Sequence, residues 1–360
     1  NRYRLANKQI TDVSVRVGAV FVLMLPVIMM VLHLSTGAVV WFGGQRADAG
    51  TVEVGSLTAF MQYLLQILSA VIMCVFIVMA TPRAIVCAER LTELLDAGSA
   101  IAYPQDQLHA TPARGRLEFQ NVTFGFAGAE LPVIKAASFV AEPGRTTAII
   151  GSTGAGKSTI VNLAVRLLEP QQGAITIDGI PISELTRSQL AATISLVPQR
   201  SYLFSGTIGS NLRFGRADAT DAELWEALRV AQGEDFVREK RNGLGSRVSQ
   251  GGTNISGGQR QRLSIARALV AKPRIYLFDD SFSALDVGTD ARLRAALPSL
   301  TEGATTIIVA QRVSTITDAD QILVIDNGLI VARGRHDQLL ETSPVYREIV
   351  ESQTDTEEAA

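Results

Sequence analysis

The sequence predicts an α-helical transmembrane segment followed by an α/β domain with a mainly parallel sheet. The first observation is a pair of long stretches, between Arg16 and Arg46 and between Glu53 and Arg83, that hold no formally charged residue. The second is a series of short β-branched runs that alternate with helical patterns. These runs lie near residues 146, 194, 275, 305 and 321. Strands that alternate with helices favour a parallel sheet, because each crossover helix returns the chain to the same edge.

Residues 17–42 and 54–80 are the predicted transmembrane helices, since each stretch exceeds the roughly 20 apolar residues that a spanning helix needs. Basic residues flank the pair: Arg2, Arg4, Lys8 and Arg16 precede it, and Arg83 and Arg90 follow it. The positive-inside rule then puts both ends in the cytoplasm. We therefore expect a multi-pass protein of a bacterial plasma membrane, in contact with the lipid bilayer. A buried hairpin in a soluble protein is the alternative.

Length, charge and cysteine content bound the function without defining it. A chain of 360 residues allows about two or three domains. A net charge of −2 and a pI near 6.0 give no sign of nucleic-acid binding. Cys74 and Cys87 lie about 20 Å apart along one predicted helix, so they cannot pair with each other, and no metal-ligand spacing is present.

The segment GSTGAGKS at residues 151–158 has the G-x-x-x-x-G-K-[ST] pattern of a phosphate-binding loop. A β-branched run at 146–150 predicts a strand before it, and 159–168 predicts a helix after it. Glycines let the backbone wrap phosphates, and the helix N-terminus attracts the anion. The predicted ATP-binding residues are Gly151, Ser152, Thr153, Gly154, Ala155, Gly156, Lys157, Ser158 and Thr159. Lys157 would reach the β- and γ-phosphates, and Ser158 would bind Mg²⁺.

A second motif, formed by Ser256, Gly257, Gly258 and Gln259, opens a predicted helix for which Ser256 is a suitable N-cap. Together with the hydrophobic strand that ends at Asp279, it closely resembles the signature of ATP-binding cassette (ABC) proteins. The resemblance covers residues 114–353. In that family two nucleotide domains pair head to tail, and the signature of one domain covers the γ-phosphate that the other holds.

The same resemblance assigns four further positions. Asp279 is similar to the Walker B residue that holds Mg²⁺ through water, and Gln199 to the Q-loop residue that touches Mg²⁺. The expected metal-binding set is therefore Ser158, Gln199 and Asp279. Asp286 stands in the place of the D-loop aspartate. Phe126 stands where the family has an aromatic ring against adenine, although an aromatic in a strand is more often part of the core.

Two positions of the expected catalytic site depart from the family pattern. Asp280 replaces the glutamate that polarises the attacking water, and Gln311 replaces a histidine that faces the γ-phosphate. Aspartate is one methylene shorter, so its carboxylate is set back by roughly 1.5 Å. A misplacement of about 1 Å can cost on the order of 100-fold in rate. The amide of Gln311 can donate a hydrogen bond but adds no positive charge.

These departures, beside an intact signature, resemble one half of a heterodimeric ABC exporter whose own site binds MgATP with slow hydrolysis. The partner would be a second half-transporter, and the cargo a lipophilic or drug-like compound moved outward. A homodimeric exporter that uses Asp280 as a slow base is one alternative. A membrane-anchored ATP-binding regulator is another.

The predicted organisation is that of a fused membrane and nucleotide-binding chain. Residues 1–95 form the C-terminal part of an exporter membrane domain, and the two spans resemble the fifth and sixth helices of a half-transporter, so we expect N-terminal helices to be missing. Residues 96–113 form a linker, 114–353 the P-loop NTPase domain with an antiparallel β subdomain and a helical subdomain, and 354–360 a disordered tail. His33, Gln62 and Gln66 are polar at membrane depth and receive no role.

Overall fold

The computed structural model describes residues 2–98 and 101–358. The chain divides into two compact units, Asn1–Ser99 and Ala100–Ala360. The boundary falls within the stretch that the sequence predicts to be a linker.

The first unit consists of helices α1 (Arg2–Asp48) and α2 (Val54–Asp96). Both are long and apolar enough to cross a membrane by length and composition, and they contain the predicted spans 17–42 and 54–80. The two helices approach closely near Gly43, where an added Cβ atom would lie only 2.3 Å from Leu57 Cδ1. Most large apolar side chains of this unit are exposed, which is the expected surface for helices that a lipid phase covers.

Within residues 101–358, twelve strands form the framework of the second unit. They are β1 (Leu117–Phe124), β2 (Ile134–Ala141), β3 (Thr146–Gly151), β4 (Gln172–Ile177), β5 (Ile180–Pro181), β6 (Ile194–Val197), β7 (Gly206–Thr207), β8 (Arg247–Val248), β9 (Ile275–Asp279), β10 (Thr305–Val309), β11 (Gln321–Asp326) and β12 (Leu329–Gly334). One sheet has the order β12-β11-β3-β10-β9-β6 and is parallel except for β12, which pairs antiparallel with β11. A second, antiparallel sheet has the order β2-β1-β4-β5, and β7 pairs with β8.

Ten α-helices complete the described part of this unit. They are α3 (Lys157–Ala164), α4 (Arg187–Thr193), α5 (Ile208–Arg213), α6 (Asp221–Val230), α7 (Glu234–Arg238), α8 (Gly257–Ala271), α9 (Val287–Ala296), α10 (Pro298–Thr301), α11 (His336–Thr342) and α12 (Pro344–Glu358). Short 3₁₀ helices cover Ile182–Glu184, Gly243–Gly245, Gln250–Gly252 and Val313–Thr315. Helices α5, α6 and α8 pack against one another, and α7 packs against α6.

The central parallel strands position the functional site. All residues of β9 and β10 are buried, as expected for strands that helices cover on both faces. The carboxyl ends of β3, β9 and β10 lie side by side because these strands are parallel neighbours. Gly151, Asp279 and Val309, the last residues of the three strands, therefore meet at one edge of the sheet.

Local sequence signals locate several elements correctly. Thr220 and Glu223 form a capping box at the start of α6, as the Thr-x-x-Glu pattern favours. The sequence Asn327-Gly328, a pair typical of tight hairpin turns, forms the turn between β11 and β12, and both residues have positive φ. Strand β1, in contrast, ends at Phe124, two residues before Phe126.

The C-terminal tail differs from the expectation. Helix α12 runs to Glu358, so residues 354–358 are helical rather than disordered, and 359–360 lie outside the described residues. The physical reason is that an existing helix extends at little cost, whereas starting a new one is unfavourable. The acidic composition of residues 354–360 favours disorder for that segment alone, but the segment follows directly on a helix that can extend into it.

Candidate nucleotide site

The loop between β3 and α3 depends on its glycines. Gly151 faces β11 so closely that an added Cβ atom would lie 2.0 Å from the carbonyl oxygen of Ile325. Gly154 and Gly156 have φ angles of 84° and 101°, a backbone region that L side chains rarely adopt. At Gly156 an added Cβ would also lie 2.6 Å from Ile134 Cδ1. The curve of the loop therefore requires glycine at these positions.

Lys157 lies inside this curve. Its Nζ donates hydrogen bonds of 2.8 Å to the carbonyl oxygens of both Gly151 and Ser152. The first N–H groups of α3 follow directly, so the loop combines an ammonium group with the positive end of a helix. Ser158 is exposed at this end and Thr159 is half-buried.

Ser158 and Asp279 connect the loop to β9. Ser158 Oγ donates a hydrogen bond of 3.0 Å to Asp279 Oδ1, as expected for two residues that would share one metal ion. Burial raises the pKa of Asp279, and the hydrogen bond from Ser158 opposes this effect. Burial lowers the pKa of Lys157, against the attraction of the Asp280 and Asp279 carboxylates. A bound phosphate and a divalent cation would favour the charged forms of both groups.

Asp280 is the next residue and has an unusual backbone conformation. Its φ of 48° is in the left-handed region, and its N–H donates a hydrogen bond of 2.9 Å to the carbonyl oxygen of Val309. Its side chain is buried. Oδ2 accepts two hydrogen bonds, one from Gln199 Nε2 at 2.9 Å and one from Gln311 Nε2 at 2.7 Å. The structure thus brings together Gln199, Asp280 and Gln311, although Gln199 bonds to Asp280 rather than to Asp279.

One further residue at this site was missed by sequence reasoning. Gln353 of α12 donates from Nε2 to the carbonyl oxygen of Gln311 at 2.7 Å. Its Oε1 accepts a hydrogen bond of 2.8 Å from the N–H of Val313. No local signal could have identified Gln353, because its partners lie about 40 residues earlier in the chain.

Phe126 lies in the loop after β1 and is 53% exposed, so it is not a core residue. Its ring packs edge-to-face with Phe124 at a centroid distance of 5.1 Å. Phe124 pairs with Ile134, the residue that closely approaches Gly156. The exposed ring of Phe126 therefore lies just after the strand pair β1–β2, which borders the phosphate loop.

The second motif begins α8 and points away from the domain interior. Ser256 is the N-cap: its Oγ accepts from the N–H of Gln259 at 3.3 Å, and Gln259 Oε1 accepts from the N–H of Ser256 at 3.4 Å. Ser256 and Gly257 are exposed, whereas Gly258 lies close to Ala284 O, 3.3 Å from an added Cβ. This exposed helix N-terminus is suited to an external anion.

Asp286 is the N-cap of α9. Its Oδ1 accepts a hydrogen bond of 2.9 Å from the N–H of Thr289, and this bond holds the pKa of Asp286 below its usual value. The carboxylate remains exposed at the start of the helix. The structural role of Asp286 is therefore that of an N-cap.

The described residues fit MgATP. The glycine cradle, Lys157 and the N-terminus of α3 suit a phosphate chain, and the oxygen atoms of Ser158, Asp279 and Gln199 suit Mg²⁺. Within residues 2–98 and 101–358 no group of three or more His, Cys, Asp or Glu side chains is arranged for a metal. A cation at this loop would therefore depend on hydroxyl and phosphate oxygens together with Asp279.

Comparisons with known proteins agree with this geometry. Residues 134–283 match the sequence model of the ABC transporter family. An uncharacterized ABC transporter ATP-binding protein of Mycobacterium tuberculosis (strain ATCC 25618 / H37Rv) is 47% identical over 358 residues, which are 98% of this chain and 61% of that protein. A fatty acid ABC transporter ATP-binding/permease protein of M. tuberculosis (strain CDC 1551 / Oshkosh) is 38% identical over 91% of this chain and 52% of that protein.

A solved structure of a bacterial Atm1-family ABC exporter with ATP bound superimposes with a TM-score of 0.83 at 32% sequence identity. The match covers 98% of this chain and 62% of that one. The chain thus has the ABC exporter fold, with long N-terminal helices and a P-loop ABC nucleotide-binding domain. Residues 134–283 match the ABC transporter family model, and the chain as a whole is similar to ABC transporter ATP-binding proteins. It spans about 61% of the length of the first relative described above.

Proposed function

We propose that this chain is the degenerate-site half of a heterodimeric ABC exporter. It binds MgATP at its own phosphate loop and hydrolyses it slowly. It also supplies Ser256 and Gly258 to a hydrolytic site on a partner half-transporter. The cycle drives outward transport of a lipophilic substrate.

The observation that carries this proposal is the double hydrogen bond to Asp280 Oδ2. A general base must be within hydrogen-bond reach of the water that it activates. Here the aspartate side chain is already short, and two amide donors, from Gln199 and Gln311, compete with a water for the same oxygen. Neither amide can take up a proton from that water. The loop, Lys157 and Asp279 remain suited to binding, so loss of chemistry without loss of affinity is the expected result.

The exposed cap of α8 supports the second half of the proposal. Ser256 presents its hydroxyl and the free N–H groups of α8 to the outside of the domain. Such a helix end stabilises negative charge that another molecule brings to it. A partner's nucleotide is a suitable ligand, because a helix end directed outward has no obvious use within its own domain.

Two observations support a lipid-like substrate. The helices α1 and α2 are long and apolar, and a relative at 38% identity is described as a fatty acid transporter. A lipophilic cargo would partition into the bilayer around such helices before it is moved. We therefore propose a substrate of fatty acid or related lipid chemistry.

Site-resolved nucleotide chemistry tests the division of labour. The full-length chain is co-expressed with a candidate partner half-transporter, reconstituted in vesicles and labelled with a photoreactive radioactive ATP. We expect intact ATP to remain on this chain while ADP accumulates on the partner. Equal cleavage on both chains would refute the proposal, and robust ATPase activity of this chain alone would favour a homodimer that uses Asp280 as base.

Transport is measured with the same vesicles. A fluorescent fatty acid in inside-out vesicles should accumulate in the lumen on addition of MgATP, and unlabelled fatty acid should compete with it. A matched sample with Lys157→Ala and the corresponding change in the partner defines the background. Failure of several lipid classes to stimulate ATPase or to compete would contradict the substrate proposal but not the ATP-binding role.

A further inference from the structure

The C-terminal helix α12 holds the backbone that carries Gln311. Gln353 uses both ends of its side-chain amide, one to the carbonyl oxygen of Gln311 at 2.7 Å and one to the N–H of Val313 at 2.8 Å. A single side chain therefore satisfies two main-chain groups that flank Arg312. We call this arrangement, formed by Gln353, Gln311 and Val313, the glutamine clamp.

The helix that provides the clamp is itself firmly attached. Tyr346 is fully buried, and its hydroxyl lies 2.8 Å from Nδ1 of His336. Arg347 donates from Nε to the carbonyl oxygen of Leu340 at 3.0 Å. Gln353 lies two turns beyond Tyr346, so the anchor and the clamp share one face of a short rigid rod.

The clamp is directly connected to the nucleotide site. Gln311, whose carbonyl oxygen the clamp holds, donates its side-chain amide to Asp280 Oδ2 at 2.7 Å. Asp280 follows Asp279, which bonds to Ser158 of the phosphate loop. A displacement of α12 would therefore move Gln311 first and the acceptor oxygen of Asp280 next. The 3₁₀ helix Val313–Thr315 follows directly, with Arg312 as its N-cap.

We propose that Gln353 is a positioning residue for this chain's own nucleotide site. It sets the location of Gln311, and through Gln311 it controls how long nucleotide is retained at Lys157. The position of the C-terminal helix α12 thereby affects how long the site retains nucleotide. This inference rests on the proposed ATP binding at Lys157 but not on the division of labour between two subunits.

Retention of nucleotide on this chain provides the test. The assembled transporter is loaded with photoreactive radioactive ATP and chased with unlabelled ATP, and the label on this chain is followed with time. Gln353→Leu has similar size but makes neither hydrogen bond, and we expect it to shorten retention about tenfold, the effect of roughly one net hydrogen bond to a polar site. Gln353→Glu keeps the acceptor for Val313 but loses the donor to Gln311, and should have most of the same effect.

Two controls separate positioning from a general loss of structure. Glu351→Gln changes an exposed residue of the same helix and should leave retention unchanged. In a Gln311→Ala background, Gln353→Leu should have little further effect, because the route through the Gln311 side chain is already lost. A merely structural role would instead give additive losses and a lowered melting temperature.

The possible outcomes are distinct. Unchanged retention in both Gln353 variants, or full additivity with Gln311→Ala, would refute the clamp. If the wild-type chain itself binds no label while its partner does, the proposed ATP binding at Lys157 fails instead. If Gln353→Leu does not assemble, Gln353→Glu gives the same comparison.

Discussion

The side-chain amide of Gln311 donates a hydrogen bond of 2.7 Å to Oδ2 of Asp280, and these are the two residues of the expected catalytic site that differ from the residue types implied by the family resemblance. The two substitutions therefore act as one unit. Gln199 donates to the same oxygen at 2.9 Å, so the acceptor that a water would need is already occupied on two sides. Replacing either residue alone would leave part of this arrangement in place.

Restoring both residues should restore chemistry. We expect Asp280→Glu combined with Gln311→His to raise ATP turnover at this chain's own site by about 10- to 100-fold, because the carboxylate advances by about one bond length and one of the two competing amides is removed. Steady-state ATPase of the assembled transporter is the measurement. Residues that act as a unit are not additive, so each single change should recover much less.

The control for this experiment is Lys157→Ala added to the double change. It should abolish the gain, since Lys157 lies inside the phosphate loop and the new activity must originate there. A double variant with wild-type ATPase would show that Asp280 and Gln311 do not limit turnover at this site.

Ser256→Ala should slow hydrolysis at the partner's site more than Lys157→Ala does. A hydrogen bond to a charged group contributes about 1.5–3 kcal/mol, so a loss of about 10- to 100-fold is expected for Ser256→Ala. The change also removes an N-cap, which costs about 1 kcal/mol of stability. Ser256→Asp keeps the cap but places a negative charge against the nucleotide, so it should be inactive without being unstable.

The matched control is Ser249→Ala, a nearby exposed serine whose side chain makes no hydrogen bond in the described part of the chain. It should leave ATPase unchanged. If Lys157→Ala proves the more damaging of the two substitutions, the active site belongs to this chain rather than to its partner.

Much of the fold followed from local chemistry. The capping box at Thr220, the turn at Asn327 and the apolar strands β9 and β10 all depend on neighbours in sequence, so the sequence predicts them well. The phosphate loop was equally readable, because its glycines are required by contacts such as that of Gly151 with Ile325.

The remainder of the site depends on contacts that sequence spacing does not reveal. The hydrogen bond from Gln199 to Asp280 joins residues about 80 positions apart, and Gln353 reaches Gln311 from a different helix. The sequence alone also does not predict whether the ring of Phe126 is exposed, because this depends on where β1 ends. Tertiary packing determines these hydrogen bonds and the exposure of this ring, and no rule based on neighbouring residues predicts them.

Phe126→Ala should weaken ATP binding at this chain's own site without destabilising the domain. Stacking of a base on an aromatic ring contributes about 1–3 kcal/mol, so a loss of about tenfold or more in affinity is expected. The ring is 53% exposed, and its removal leaves no cavity in the core. Nucleotide titration by fluorescence measures the effect.

Phe126→Tyr keeps the ring and should bind normally. Phe204→Ala removes another exposed ring, 45% accessible, and serves as the matched control. Unchanged affinity in Phe126→Ala would assign Phe126 a packing role with Phe124 and no contact with nucleotide.

Asp279→Asn should stabilise the nucleotide-free protein and abolish stabilisation by Mg²⁺ and ATP. Burial raises the folded-state pKa of Asp279 above its unfolded value, so the folded state binds that proton more tightly. The ionised carboxylate therefore destabilises the fold at neutral pH. This penalty begins to shrink as pH falls below the folded-state pKa and is gone below the unfolded-state pKa. Asparagine keeps the acceptor for Ser158 without the charge.

Thermal unfolding measures this effect with and without Mg²⁺ and ATP. We expect the melting temperature of Asp279→Asn to exceed that of wild type at neutral pH, because the asparagine carries no buried charge. The difference should shrink as the pH is lowered. A lower melting temperature at neutral pH would mean that the hydrogen bond from Ser158 outweighs the cost of burying the charge.

Replacing the glycines of the phosphate loop by alanine should destabilise the protein to different extents. Gly151→Ala places a Cβ atom 2.0 Å from the carbonyl oxygen of Ile325, a backbone atom of the neighbouring strand that cannot move without disturbing the sheet. We expect a loss of about 3 kcal/mol, the upper end of the usual cost of overpacking. Gly154→Ala meets no atom within 4 Å but must adopt a φ of 84°, which costs about 1–2 kcal/mol.

Gly245→Ala is the control, because its new Cβ atom would make only an ordinary contact at 3.8 Å and its backbone is unstrained. Melting temperatures should therefore fall in the order Gly245→Ala, Gly154→Ala, Gly151→Ala, with the last lowest. Nucleotide binding should follow the same order, since a shifted β3 also moves Lys157 away from the loop carbonyls. Equal stability of the Gly151 and Gly154 variants would mean that β3 and β11 can separate at low cost, and the close contact would then not explain why glycine is required at 151.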